Sequence, residues 1–149
     1  MGYYIIDNRF KLDYDSVNNS LFWNKQEKMI TDLFYYDDEL IKSFEIAQFP
    51  NKVSDKVINI ERMKMLREIK RLFDAQSTNY KIVISPIYNQ IKINPDDLQF
   101  LYNVFGEKNV FDFSGVNQWA NDYHIYYDSS HYRVSVANDI MRIIYSDSK

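Results

Sequence analysis

Both histidines of the chain lie in one short stretch, residues 122–132, which reads Asp-Tyr-His-Ile-Tyr-Tyr-Asp-Ser-Ser-His-Tyr. Asp128 stands three residues before His131, a spacing at which a carboxylate at a helix entry reaches an imidazole in the first turn. A carboxylate on one ring nitrogen fixes the tautomer and leaves the other nitrogen able to take a proton. His131 is therefore the candidate general base and Asp128 its orienting partner. A base needs a group to deprotonate, and Ser129 and Ser130 do not serve. Lying between the pair, they are too close in sequence to offer a hydroxyl to the outer ring nitrogen while Asp128 holds the inner one. The stretch carries the acid–base half of an active site and no nucleophile.

Two other chemistries compete for the same residues. His124, Asp128 and His131, with Asp122 as a fourth, are all possible ligands of zinc or another divalent ion, although structural zinc usually draws on Cys. Tyr123, Tyr126, Tyr127 and Tyr132 could form a stacking surface for sugar rings, in a non-catalytic carbohydrate-binding or interaction domain. Aromatic side chains more often bury their area in a core with a hydroxyl at the edge. Met63 and Met65 are read in the same way, as core filling.

The elements that must position the Asp-His pair emerge from the middle of the chain onward. Tyr3 to Tyr14 suggests a hairpin or an irregular aromatic arm turning at Asp7-Asn8. Met29, Leu33, Tyr36, Leu40 and Phe44 are spaced for a helix within residues 24–44, with a break at Asp37-Asp38. Residues 48–52 form a loop, because the residue before Pro50 resists helix. Ser54 then caps a long helix whose core face is Ile58, Met65, Leu66, Ile69, Leu72 and Phe73, with Asp55 in its first turn. Residues 81–85, Lys-Ile-Val-Ile-Ser, form a strand covered on both faces. Asn94-Pro95-Asp96-Asp97 starts a helix that buries Leu98, Leu101, Tyr102 and Phe105 and ends at Gly106. Residues 110–113, Val-Phe-Asp-Phe, form the next strand. A final helix follows, with Tyr132, Val136, Ile140, Ile143 and Ile144 on one side and Ser135, Asn138, Asp139 and Arg142 on the other.

Helix, strand, helix, strand, loop and helix in that order predict an α/β fold with a short parallel sheet flanked by helices. Sites in such folds form in the loops at the carboxyl ends of the strands. Those loops are residues 86–93 and 114–128. The second delivers the Asp-His pair, and the first carries Tyr88, Asn89 and Gln90 as candidate substrate-binding donors.

Composition bounds the rest. At 149 residues the chain suits one domain, with an aromatic-rich arm and helix over residues 1–50 and a regular α/β part over 54–149. Eighteen basic against 21 acidic residues, with no basic block, leaves no electrostatic footprint for nucleic acid. The N-terminal Met-Gly-Tyr-Tyr-Ile-Ile lacks the basic flank and long apolar segment of a signal peptide, and no run is long enough to span a bilayer, so the chain reads as soluble. With no Cys, thiol chemistry is excluded. With only three glycines there is no glycine-rich phosphate loop, and no cofactor is expected.

Three segments together carry a likeness: Lys81-Ile-Val-Ile-Ser-Pro86, Val110-Phe-Asp-Phe-Ser-Gly115, and Tyr126-Tyr-Asp-Ser-Ser-His-Tyr-Arg133. Over residues 55–145 the chain resembles the C-terminal half of the SGNH (GDSL-like) hydrolases, and most of all the branch of cell-surface O-acetyl and D-alanyl transfer proteins. The resemblance implies a three-layer, flavodoxin-like α/β/α fold. It also implies a closing Asp-x-x-His, matched by Asp128 and His131, that activates a serine for ester hydrolysis or acyl transfer. The expected substrate is an acylated small molecule or a cell-surface polysaccharide, and the cell envelope is the implied setting of a parent protein. The family's serine belongs to a Gly-Asp-Ser motif after the first strand, and no Gly-Asp-Ser occurs in this chain. The expectation is a C-terminal portion that is inactive alone, with a sheet edge left open for a homodimer.

Overall fold

A computed structural model describes residues 13–15, 17, 20–22, 36, 38–45 and 48–146. The chain divides into two compact units, Met1–Leu40 and Ile41–Lys149. In the first, strands β1 (Asp13–Asp15) and β2 (Ser20–Phe22) pair antiparallel, with Tyr14 opposite Leu21. The arm expected over residues 3–14, and the first part of the helix expected over 24–44, lie almost wholly outside the described residues. That helical pattern ends in α1 (Asp38–Glu45), whose Asp38 and Glu39 sit in the first turn, favourably placed against the positive end of the helix dipole.

The second unit is built on a parallel pair, β3 (Ile82–Ile84) with β4 (Val110–Asp112), in the register Ile82 to Val110, Val83 to Phe111 and Ile84 to Asp112. Alternate side chains of a strand leave on opposite faces, and the packing follows that rule. Ile82, Ile84 and Val110 join a core with Ile58, Leu66 and Ile69, and with Leu101 and Phe105. Val83, Phe111 and Phe113 join a second core with Trp119, Val136, Ile140 and Ile144. The first core is supplied by helices α2 (Ile60–Ala75) and α3 (Pro95–Phe105), the second by α4 (Val134–Ser146). The mixed α/β class expected from the sequence is thus present. No helix among the described residues is long and apolar enough to cross a membrane.

Helix α3 begins as its residues dictate. The Asn94 side chain accepts from the Asp96 N–H at 3.0 Å, Pro95 occupies the first turn, and Gly106 closes the helix at a φ of +83° with its N–H on the Tyr102 carbonyl. Helix α2 departs from expectation. It is capped by Asn59, which accepts from the Arg62 N–H at 3.0 Å, and Ser54 lies well outside it. The cause is Asp97. This fully buried carboxylate accepts from the N–H groups of Val57 (2.8 Å) and Ile58 (3.1 Å), so the chain there is held extended until Asn59. Ser54 instead accepts from the Asn94 N–H at 3.0 Å. Met65 and Leu72, expected in the core, are 56% and 49% exposed, because α2 leans on the sheet through Met63, Leu66, Ile69 and Phe73. Of α4's expected apolar side, Val136, Ile140 and Ile144 are buried while Ile143 is exposed.

Candidate functional site

The Asp-His pair forms as its spacing predicts, in a different local structure. Residues 126–132 make a tight hairpin-like loop closed by a bridge between Tyr126 and Tyr132 and by the Tyr127 N–H on the His131 carbonyl at 2.7 Å. Helix α4 starts only at Val134. Asp128 is therefore a turn residue and not a helix cap. Its Oδ1 accepts from the N–H groups of Ser130 (2.7 Å) and His131 (2.9 Å), the local bonding that makes Asp a turn former. These bonds lock the carboxylate. The His131 ring then closes on it, with Nδ1 at 2.9 Å from Oδ1 and 2.8 Å from Oδ2.

Burial acts to raise the Asp128 pKa. The Ser130 N–H, the His131 ring and its charge, and the His131 N–H outweigh it, and the carboxyl is held below its ordinary value. Ionised at neutral pH, the carboxylate can only accept. Nδ1 must donate, and Nε2 of the neutral ring is left as the acceptor. Nε2 makes no hydrogen bond to any described residue, and the ring is 73% exposed.

A second pair stands beside it in sequence. Asp122 caps a 3-10 turn (Tyr123–Ile125) by accepting from the His124 N–H at 2.9 Å, and its Oδ1 lies 2.9 Å from His124 Nδ1. The His124 ring stacks on Tyr123 at 4.1 Å between centroids. Among the described residues no three His, Asp or Glu side chains converge as a metal site. His124, Asp128 and His131 are consequently not one ligand set. Of the four tyrosines considered as a stacking surface, one is withdrawn from it. Tyr126 is fully buried and meets Tyr88 edge-on at 5.4 Å, and burial, followed by the charges of Tyr132 and Tyr88, pushes its phenol up to about 12.

The two loops at the carboxyl ends of the strands do meet. The Tyr88 N–H donates to the Ser129 carbonyl at 3.0 Å, which fixes the Asp-His loop against residues 86–93. Tyr88 and Gln90 are 6% and 4% exposed. Gln90 donates to the Ala120 carbonyl at 3.1 Å, so its amide ties the two loops together. Asn89 is half-buried and accepts from the Ile91 N–H through Oδ1 at 3.2 Å, while its Nδ2 group makes no hydrogen bond to a described residue. Of the two amides among the three candidate binding residues, that of Gln90 is spent on the Ala120 carbonyl and that of Asn89 keeps its donors available.

One polar network at these strand ends was not anticipated. Asp112 Oδ1 accepts from Ser114 N (2.9 Å) and Oγ (2.6 Å), and Oδ2 pairs with Lys92 Nζ at 2.6 Å. Burial raises the Asp112 pKa, but Lys92 and the two Ser114 donors hold it below the ordinary value. Beside it lies a cavity of about 170 Å³ between Ile84, Ser85, Ile87, Ile93 and Ser114. Asp112-x-Ser114 is a legible side-chain turn in the sequence, but its tie to Lys92 depends on Gly115. At a φ of +79°, a Cβ there would stand 2.9 Å from Lys92 Cδ.

Comparison of the chain with protein-family models, with curated proteins and with solved structures finds no match in any of the three.

Proposed function

We propose that the chain supplies the acid–base half of an SGNH-like esterase or O-acyltransferase. His131 is the general base, Asp128 orients it, and the serine nucleophile comes from outside these 149 residues. The observation that carries this reading is the locked Asp128 carboxylate on His131 Nδ1 with Nε2 left as an acceptor. The small cavity at the strand ends, half of whose lining residues are isoleucines, would suit a short acyl group, and Asn89 Nδ2, outside that lining, is a candidate donor to the substrate. The parallel strand pair with helices on both faces is compatible with the last two strands of a three-layer SGNH sheet. The high exposure of His131 agrees with a site that closes only when the nucleophile-bearing part packs over it.

In the reaction, a serine hydroxyl approaching Nε2 would give up its proton as it attacks the acyl carbon, and Asp128 would stabilise the imidazolium that forms. That imidazolium would return the proton to the ester oxygen as the acyl–oxygen bond breaks, releasing the alcohol and leaving an acyl-serine for water or an acceptor hydroxyl to discharge. Hydrolysis of p-nitrophenyl acetate tests this. The chain alone should turn over no faster than free imidazole. A polypeptide extended through a Gly-Asp-Ser segment should be active, and His131→Ala should lower its kcat by about 10³-fold or more. An extended enzyme that stays active with His131→Ala would refute the assignment.

A further inference from the structure

At the amino ends of β3 and β4, the opposite end of the sheet from the Asp-His loop, an open cavity of about 510 Å³ lies between Asn79, Lys81, Glu107, Lys108, Asn109 and Phe111. Its size is that of a small-molecule site, and its lining is unlike that of the cavity at the other end. Two lysines, two asparagines and one glutamate line it. Most of them lie on or beside regular elements: Lys81 immediately precedes β3, Phe111 lies in β4, and residues 107–109 form a 3-10 turn, while Asn79 is in the segment leading to β3. Ile144 of α4 closes one side.

The charges in this cavity are unspent. Lys56, Lys70, Arg71, Lys92 and Arg142 each hold a carboxylate within 4 Å. Lys81 and Lys108, like Lys52 and Lys64, form no ion pair with any described residue, and this holds even though Glu107 lines the same cavity. Lys81 Nζ is instead held 5.4 Å from the centre of the Phe111 ring. A cation–π contact of this kind restrains the ammonium without neutralising it. Asn109 is restrained as well, because its Nδ2 donates to the Phe105 carbonyl at 2.9 Å.

We infer that this cavity binds a small phosphorylated molecule of about the size of a hexose monophosphate. The phosphate would lie between Lys81 and Lys108, whose two positive charges match its dianion, lysine being a phosphate binder as a point charge. The volume leaves room beyond the phosphate for a sugar ring, whose hydroxyls can donate to Glu107 and bond to Asn79. The single carboxylate also selects against more highly charged anions, since it repels added negative charge at short range.

The test is titration of the full chain with glucose 6-phosphate, followed by amide NMR shifts of residues 79–81 and 107–111. Saturable binding is expected, tighter than for inorganic phosphate and weakened by salt. Lys81→Gln with Lys108→Gln should weaken it at least tenfold, whereas Lys56→Gln should not. Glu107→Gln should tighten inorganic phosphate binding severalfold, a change of sign that damage to the fold would not produce. Phosphatidate vesicles should not retain the protein. Unsaturable shifts, affinity equal in the double variant, equal loss with Lys56→Gln, or vesicle retention without glucose 6-phosphate binding would each overturn the inference.

Discussion

Asp128 and His131 are three residues apart, and everything that joins them is local. The carboxylate takes two backbone N–H groups of its own turn and one ring nitrogen, so their pairing was legible from spacing alone. The setting was not, because the same spacing fits a helix entry and a tight turn, and the Tyr126–Tyr132 bridge decides for the turn. Lys92 and Asp112 are twenty residues apart, and nothing local announces their contact. Asp112 also gives a pH prediction. Its folded pKa lies below the ordinary 3.8, so its stabilising effect is complete above that value and is lost as pH falls through the lower folded value. Urea unfolding of the wild type should weaken below about pH 4, and Asp112→Asn should be less stable at pH 7 with a shallower acid loss. An identical acid slope in the variant would refute the role given to this carboxylate.

Among the elements, strands β3 and β4 and helix α3 followed from residue pattern because their signals are self-contained: short apolar runs, and an Asn-Pro-Asp-Asp start. The β1–β2 pair did not, since it lies at residues 13–22 and not across Asp7-Asn8. Helix α2 began five residues later than Ser54 would place it, since Asp97, forty residues on, takes the N–H groups that a helix there would need free. Asn59→Ala should therefore destabilise the protein by about 1 kcal/mol, the usual value for a lost cap. Ser54→Ala should leave the helix content seen by circular dichroism unchanged. Asp97→Ala, which strands two N–H groups at a buried position, should cost about 2–3 kcal/mol. Equal effects of Asn59→Ala and Asp97→Ala in chemical denaturation would count against this ordering. At Gly106, φ is +83°, so Gly106→Ala should lower stability by about 1 kcal/mol or more although space for the methyl exists.

For the molecule as a whole, the parallel sheet of the second unit has two strands among the described residues, each with an outer edge that no further strand covers. Sheets of this kind normally continue or are capped, which is why the sequence led to the expectation of a homodimer through an open edge. Sedimentation should show association that rises with concentration, and a proline at Val83 should suppress it. A monomer at every concentration would remove the dimer without touching the site. The α/β class and the parallel pair over residues 82–84 and 110–112 were legible from element order and residue pattern.

Asp128 holds His131 through Nδ1 and leaves Nε2 as the proton acceptor, and the tautomer of the His131 ring reports it directly. Long-range ¹H–¹⁵N spectra of the intact chain, recorded above the pH at which the ring is charged, should show a protonated Nδ1 and an unprotonated Nε2, with His124→Ala separating the two histidines. In Asp128→Ala the His131 pattern should shift toward the protonated Nε2 favoured by free imidazole. A His131 ring already protonated at Nε2 in the wild type, and unchanged in Asp128→Ala, would show that Asp128 does not orient it.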